Sequence, residues 1–138
     1  MQIREILLTE LEEAYEVLKE LRTALSYDEY EDLVYEMRHQ EYKIFGLYHQ
    51  GVLSTYAGVS VHVNLYYKRH LFLYDLVTTQ QFRSQGHGKE MLCYLEDYAK
   101  INNCERLVLS SNLTREAAHR FYEKEGYTKI GYTITKTL

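Results

Sequence analysis

The stretch from Asp75 to Lys100 decides the fold, and it reads DLVTTQQFRSQGHGKEMLCYLEDYAK. It begins in an apolar strand, continues through a turn with two glycines, and ends with the apolar spacing of an amphipathic helix. Gly86, Gly88 and Lys89 stand where the helix begins. Unpaired backbone N–H groups and the helix dipole attract an anion at such an entrance. The stretch therefore predicts a strand–turn–helix unit that binds a phosphate.

Length and composition indicate one globular domain, residues 1–138. A chain of this size buries a single core without a metal or a disulfide, and no metal site is expected. No apolar run approaches the ~20 residues of a membrane helix, so the protein is not expected to associate with membranes. The opening MQIREILLTE is too charged for a signal peptide, which favours a cytoplasmic protein. Cys93 and Cys104 lack metal or redox spacing, and both are expected in the core.

Charge is distributed unevenly along the chain. Residues 1–41 hold 12 of the 20 acidic side chains and 4 of the 16 basic ones, a net charge of −8, whereas the remainder carries +4. The segment with the predicted phosphate turn is therefore the basic part. The overall charge of −4 argues against nucleic acid as a partner, because a nucleic-acid-binding face is normally basic.

The hydrophobic period predicts the element order β-α-α-β-β-β-α-β-α-β. A short strand at residues 3–8 precedes two amphipathic helices in the first third of the chain. Each helix opens with a capping-box pattern, the first at Thr9–Glu12 and the second at Ser26–Glu29. The apolar stripe of the first helix extends to Leu25.

From Tyr42 onward the period shortens from about 3.6 to 2, which is the mark of strands. His49–Gly51 predicts a hairpin turn, and residues 71–77 are apolar on both faces, as in a central strand. Gly126 is suited to end the last helix. The strands are expected at residues 42–48, 59–65, 71–77, 107–109 and 130–134.

Two common nucleotide-binding motifs do not fit the turn. A Walker-type loop needs a glycine and a Ser or Thr at the places of Arg83 and Glu90. A dinucleotide fingerprint starting at Gly86 needs a third glycine at the place of Met91. The pattern R-x-x-G-x-G, from Arg83 to Gly88, remains. Its alternative interpretation is a turn that only joins strand to helix.

The chain resembles the GNAT superfamily of N-acetyltransferases over essentially its whole length. The likeness is carried by Asp75–Thr78 leading into the R-x-x-G-x-G turn, and by the pattern A-x-x-F-Y-x-x-x-G-Y at Ala118–Tyr127. The resemblance implies an α/β (α+β) fold with a mixed, mostly antiparallel central sheet flanked by helices. It also implies acetyl-CoA as the acyl-donor cosubstrate.

The same resemblance assigns the cofactor-binding residues. The amides of the turn would bind the pyrophosphate of coenzyme A, and the backbone of residues 76–78 would hold the pantetheine arm like an added strand. Asn112 matches a position that often contacts the coenzyme arm, and a helix N-cap is the alternative. The residues implied are Leu76, Val77, Thr78, Arg83, Ser84, Gln85, Gly86, His87, Gly88, Lys89 and Asn112.

Tyr122 is the catalytic residue that the resemblance implies. It matches the family's tyrosine that donates a proton to the departing sulfur, and a phenol has a pKa close enough to that of a thiol for this role. Ala118 and Tyr122 are four residues apart on an apolar helix face, so a core aromatic is the alternative interpretation.

The general base stays open at the sequence level. Some family members carry a glutamate in the strand before the pantetheine segment, but residues 70–73 contain no carboxylate. Asp75 could accept a proton through water, or could be a buried carboxylate satisfied by backbone donors. His62 and His70 are candidates by pKa, or are ordinary strand residues.

The sequence thus predicts an N-acetyltransferase that moves an acetyl group from acetyl-CoA to a primary amine of a small molecule or peptide by direct attack. No serine or cysteine stands in a nucleophile motif. The alternative is a non-catalytic acyl-CoA sensor or regulatory module. A homodimer is compatible with either. Four acidic side chains are candidates for attracting a cationic acceptor, or form a solvated helix face: Glu29, Glu31, Asp32 and Glu36.

Overall fold

The computed structural model describes all 138 residues and contains five strands and four α-helices. Short 3₁₀ turns occupy residues 8–10, 38–40 and 80–82. No helix is both long and apolar enough to cross a bilayer. In chain order the elements are β1 Gln2–Ile6, α1 Leu11–Leu18, α2 Tyr27–Met37, β2 Lys43–His49, β3 Val52–Asn64, β4 Lys68–Thr78, α3 His87–Ile101, β5 Arg106–Leu109 and α4 Glu116–Lys124.

The five strands form one sheet in the order β1-β2-β3-β4-β5. The pairs β1–β2, β2–β3 and β3–β4 are antiparallel. The predicted turn at His49–Gly51 is present, and Gln50 and Gly51 both have positive φ, as a tight hairpin turn requires. Helix α3 joins β4 to its neighbour β5, the type of connection that parallel strands need. The predicted α/β class with a mostly antiparallel sheet is confirmed.

Helices cover both faces of the sheet. Ile44 on β2 belongs to the core cluster formed with α1 and α2, whereas its neighbour Phe45 packs against Tyr94 and Tyr98 of α3. Because successive strand residues point to opposite faces, α1 and α2 lie on one side of the sheet and α3 on the other. Clustering of contacts divides the chain into two compact units, Met1–Val108 and Leu109–Leu138, which are described separately below.

The N-terminal boundaries of the first two helices follow local hydrogen bonds. The predicted capping box of α2 is confirmed: Ser26 Oγ accepts from Glu29 N, and Glu29 Oε1 accepts from Ser26 N, both at 3.2 Å. The first box uses other residues than predicted, because Glu10 Oε1 accepts from Leu7 N at 2.9 Å. Helix α1 also ends earlier than its apolar stripe, at Leu18. The following segment, residues 19–26, instead forms contacts with β4 and the turn after it.

Two predictions about burial and strand content are wrong. No strand is formed at residues 130–134, and Tyr132 and Ile134 are exposed. Alternation specifies which side chains share a face, but a strand also needs a partner backbone, and sequence period does not supply one. Cys93 is exposed on α3 and Cys104 is half-buried, so neither is a fully buried core residue.

Candidate active site

The carboxyl end of β4 has an open backbone edge. Strand β4 has 11 residues and β5 has 4, roughly 36 Å against roughly 13 Å of extended chain. Glu105 N donates to Arg69 O at 2.8 Å, which places the start of β5 beside the start of β4. Residues 76–78 pair with β3 on one edge and extend beyond β5 on the other. An extended ligand can therefore add to this edge as a strand does.

The turn after β4 presents backbone donors at the entrance of α3. Ser84 and Gly86 both have left-handed φ, 62° and 85°. The side-chain site of Gly86 is open space, so its positive φ is the reason that glycine suits the position. The first helical hydrogen bond runs from Glu90 N to Gly86 O, 3.0 Å. The N–H groups of residues 87–89 precede it and have no partner within the helix, which makes them donors for an anion.

Arg83 braces the turn with its side chain. Its Nε donates to Thr78 O at 3.0 Å, and its Nη2 lies 3.2 Å from Glu20 Oε1. The same Glu20 oxygen accepts from Gln80 N at 3.0 Å. Arg83 and Glu20 therefore join the turn to the end of β4 and to the segment that follows α1.

The side chain of His87 is buried beneath the turn. Its Nδ1 lies 2.8 Å from Ser54 Oγ, and Ser54 Oγ donates to Leu47 O at 3.2 Å. Because the hydroxyl proton of Ser54 is used in the bond to Leu47 O, Ser54 Oγ accepts its other hydrogen bond from the Nδ1–H of His87. The His87 ring also stacks on Phe82 with centroids 5.5 Å apart. Burial, followed by the nearby His49, lowers the pKa of His87. His87 thus anchors the first turn of α3 to β3.

Asp75 lies at a β-bulge immediately before the open edge. Gly58 pairs with Asp75 and Val59 with Leu73, which leaves Tyr74 as the additional residue. Asp75 Oδ1 accepts from Arg22 Nε at 2.8 Å, and Oδ2 accepts from the Tyr42 hydroxyl at 2.9 Å. The sequence interpretation of a carboxylate satisfied by backbone donors is wrong, because both donors are side chains.

A buried chain of tyrosine hydroxyls leads to this carboxylate. The Tyr30 and Tyr56 hydroxyl oxygens are 3.0 Å apart, and so are those of Tyr56 and Tyr42. Burial is the main cause that raises the pKa of all three phenols. Sequence reasoning missed this network. The only available signal was the total of 15 tyrosines without a tryptophan, which does not say which hydroxyls meet.

The two histidines considered as bases lie near the other end of β4. His62 pairs with His70, which is two residues from the start of β4, whereas residues 76–78 are at its end. His62 Nε2 is 2.8 Å from the Tyr74 hydroxyl, and His70 Nδ1 is 2.9 Å from Lys68 O. The structure therefore brings Asp75, but not His70, to the open edge.

In the second unit, Tyr122 is half-buried on α4. Its ring contacts Phe121 and Tyr127, with centroids 5.3 and 5.8 Å away. Burial raises the pKa of its phenol, and Arg115 partly opposes that effect. The phenol is therefore protonated at neutral pH, and the raised pKa makes it a weaker acid than a free tyrosine.

Asn112 is exposed and closes a turn ahead of α4. Its Oδ1 accepts from Thr114 N at 2.9 Å and from Thr114 Oγ1 at 2.8 Å. The N-cap of α4 is Arg115, without a side-chain hydrogen bond. The interpretation of Asn112 as the helix N-cap is therefore wrong.

The acidic residues of α2 have mixed surroundings. Glu29 is part of the capping box, and Glu31 Oε2 accepts from the Tyr27 hydroxyl at 3.2 Å. Asp32 and Glu36 are exposed. A cleft of about 1140 Å³ runs along β1, α1 and α2, and Glu31 is on its wall. None of residues 76–89 lines this cleft, so its volume alone does not identify the reaction site.

Comparison with known protein families shows which family this chain matches. The model of the acetyltransferase (GNAT) family matches residues 3–127. The chain belongs to the GNAT acetyltransferase family. This GNAT acetyltransferase is 36% identical over 126 residues to an uncharacterized N-acetyltransferase, YhdJ, of Bacillus subtilis, covering 90% of the chain and 89% of the relative. It is also 38% identical over 64 residues to aminoalkylphosphonate N-acetyltransferase of Salmonella typhimurium, covering 46% and 42%.

Solved structures share the fold of this GNAT acetyltransferase. The aminoglycoside N-acetyltransferase AAC(6')-Iy in complex with CoA superposes with a TM-score of 0.86 at 17% identity, covering 99% of the chain and 93% of that structure. A transcriptional regulator from Bacillus halodurans gives 0.85 at 20% identity, with 99% of each chain covered. The family membership, the enzyme class and the use of acetyl-CoA that the resemblance implied are confirmed.

The residues present fit acetyl-CoA. The N–H groups at the entrance of α3 suit a pyrophosphate, and the open edge at residues 76–78 suits the amide groups of a pantetheine arm. Both features lie on one continuous segment, so a single extended ligand can contact them together.

Proposed function

We propose that this GNAT acetyltransferase acetylates a primary amine of a small molecule or peptide by direct attack of the amine on acetyl-CoA. The observation that supports the proposal most is the open edge of β4 leading directly into the exposed entrance of α3. No covalent enzyme intermediate is needed, because the thioester is already an activated acyl group.

The cofactor-binding roles follow from these backbone positions. The N–H groups of residues 84–89 bind the pyrophosphate, and Arg83 maintains the turn through Glu20 and Thr78. Residues 76–78 bind the pantetheine arm, and Asn112 is the further residue that we assign to this arm. Bound acetyl-CoA supplies the acyl group as a thioester. A backbone N–H of residues 76–78 donates to the thioester carbonyl oxygen, where negative charge develops in the transition state.

Tyr122 is proposed as the general acid. Its phenol, which is protonated at neutral pH, donates a proton to the sulfur as the C–S bond breaks.

The decisive variant is Tyr122→Phe, assayed by thiol release from acetyl-CoA with the best amine from a panel of polyamines, amino acids, aminoglycosides and peptides. We expect kcat to fall by about 10²–10⁴, with little change in the KM for acetyl-CoA. Tyr132→Phe, in an exposed part of the same unit, is the control. An unchanged kcat in Tyr122→Phe would remove Tyr122 from the mechanism.

The same panel tests the function as a whole. Thiol release with at least one amine supports the proposal. Binding of acetyl-CoA without thiol release across the panel would contradict it and would favour a sensor of acyl-CoA. The homodimer stays a prediction, which light scattering at two protein concentrations tests.

A further inference from the structure

The imidazole ring of His87 is enclosed by side chains from three other elements. The residue is 3% exposed, and its Nδ1 lies 2.8 Å from Ser54 Oγ on β3. Phe82, in the 3₁₀ turn after β4, stacks on the ring, and the ring of His49 on β2 lies 5.4 Å away. Because Nδ1 keeps its hydrogen for Ser54, the lone pair of the neutral ring is on Nε2. A further proton can bind only at that nitrogen.

The place of His87 in the chain brings its ring close to the proposed anion site. His87 is the first residue of α3, so its backbone N–H is one of the unpaired donors at the helix entrance. The ring and that N–H belong to one residue, and an anion on the entrance therefore lies within one Debye length of the ring, about 8–10 Å. Since the ring is buried, water screens the interaction of the two groups only weakly.

Without an anion, the surroundings keep the His87 ring neutral. The N-terminus of a helix carries a partial positive charge, which disfavours a second positive charge beside it. Burial is the main cause that lowers the pKa of His87, followed by the nearby His49; Glu90 on α3 opposes this effect, and the N-terminal ammonium group of Met1 adds to it. The contacts from β3 and from residues 80–82 carry no charge.

A pyrophosphate at the helix entrance reverses this balance. Its negative charge outweighs the partial positive charge of the helix N-terminus and favours a proton on the neighbouring ring. We propose that His87 takes up a proton from the solvent when the pyrophosphate of acetyl-CoA binds, and that the resulting imidazolium is the buried counter-charge of the cofactor. This role rests on the proposed position of the pyrophosphate, and it adds one side chain to the backbone donors of the turn.

His49 limits the uptake to one proton. Two charged rings 5.4 Å apart would repel each other strongly in a buried cluster, so protonated His87 keeps His49 neutral. His49 also has a buried Nδ1 without a hydrogen-bond partner. In the neutral ring this nitrogen is an acceptor next to the ring that gains an N–H. No bond of the cofactor breaks in this step, and the proton returns to the solvent when the cofactor leaves.

Proton uptake makes the affinity for the cofactor depend on pH. The Kd decreases as the pH falls wherever the complex binds more protons than the free protein. The 3′-phosphate of acetyl-CoA is unsuitable for this measurement, because a phosphate monoester itself titrates near pH 6. Acetyl-dephospho-CoA keeps the pyrophosphate and lacks that group, and its Kd should fall roughly two- to fivefold from pH 7.5 to pH 6.5.

Isothermal titration calorimetry at pH 6.5 counts the protons directly. Acetyl-dephospho-CoA is titrated in MES and in Bis-Tris, two buffers with different ionisation enthalpies. We expect an uptake of at least about 0.2 proton per bound ligand. His87→Gln should abolish the uptake, whereas His39→Gln, at an exposed position, should retain it. Proton release, no uptake, or an equal uptake in His87→Gln would overturn the proposal.

An NMR titration of the unmodified protein keeps the test independent of the folding of His87→Gln. The ring Cε1–H resonance of His87 is assigned through its NOE to the stacked ring of Phe82. It is followed from pH 8 to pH 5.5 with and without acetyl-dephospho-CoA. We expect the ligand to raise the pKa of this ring, and a pKa that is unchanged or lower in the complex would overturn the proposal.

Acetyl-pantetheine separates this role of His87 from the proposed function. It lacks the pyrophosphate, so it should bind more weakly than acetyl-dephospho-CoA and without proton uptake. Tighter binding of acetyl-dephospho-CoA without proton uptake would contradict the role of His87 while the pyrophosphate site stands. Equal Kd values for the two compounds would contradict the pyrophosphate site, and the role of His87 would fail with it.

Discussion

Gly58 shows how one missing side chain makes room for the polar network. It lies on β3 opposite Asp75, and the Tyr42 hydroxyl occupies the space where a β-carbon would stand. Gly58→Ala should therefore displace Tyr42 and lower the free energy of unfolding by about 1–3 kcal/mol, measured by urea denaturation.

Gly131→Ala is the matched control for that substitution, because no atom lies within 4 Å of its added methyl group. A Gly58→Ala variant as stable as Gly131→Ala would mean that the Tyr42 hydroxyl moves without cost. The steric argument that Gly58 leaves the space for the Tyr42 hydroxyl beside Asp75 would then fail.

The hydrogen bond between Ser54 and His87 connects α3 to β3. Ser54→Ala removes the partner of His87 Nδ1 and leaves that nitrogen buried without a hydrogen bond. We expect a loss of about 1–3 kcal/mol in urea denaturation. Ser60→Ala, also on β3 and fully buried, is the control, because Ser60 Oγ has no hydrogen-bond partner to lose. Equal losses in both variants would contradict a specific role for the Ser54–His87 bond.

At the scale of elements, the first turn of α3 and the β3–β4 hairpin should both make stability depend on pH. Burial lowers the pKa of His87 and that of His62 in the folded state. The unfolded chain then binds more protons as the pH falls through the histidine range, so stability should decrease between about pH 7.5 and pH 5.5.

Urea denaturation at those two pH values measures the decrease. His62→Gln and His87→Gln should each reduce the difference between the two free energies of unfolding, whatever their effect at pH 7.5. His39→Gln, at an exposed position, is the control. A pH difference that neither of the first two variants reduces would contradict this origin of the pH dependence.

At the scale of the whole molecule, acetyl-CoA should stabilise the fold. A ligand at about 100 times its Kd adds about 2.7 kcal/mol, which corresponds to a rise in Tm of roughly 5–10 °C for a chain of this length. Acetyl-pantetheine lacks the pyrophosphate for which the α3 entrance is suited, and at the same concentration it should raise Tm much less. Equal shifts with both compounds would show that the turn at residues 83–89 does not bind the pyrophosphate.

Much of the architecture could be predicted because its signals are local. The strand–turn–helix order around Arg83–Gly88 follows from spacings of a few residues, and so does the capping box at Ser26. These signals depend only on neighbours along the chain, which the sequence contains in full. The same motifs carried the resemblance to the family.

Other features depend on residues that are distant in sequence. Arg22 meets Asp75 across 53 positions, and His87 meets Ser54 across 33. Nothing in the local pattern around these residues encodes such partners, and the alternation at residues 130–134 likewise predicted a strand that did not form.

The sequence by itself determined the family, the acyl donor and the turn suited to hold it, because backbone donors at a helix entrance follow from local conformation. Tertiary structure alone decided that Asp75 faces Arg22 outside and Tyr42 inside. That arrangement depends on the bulge in β4 and on the space left by Gly58, which arise only when strands and helices pack together.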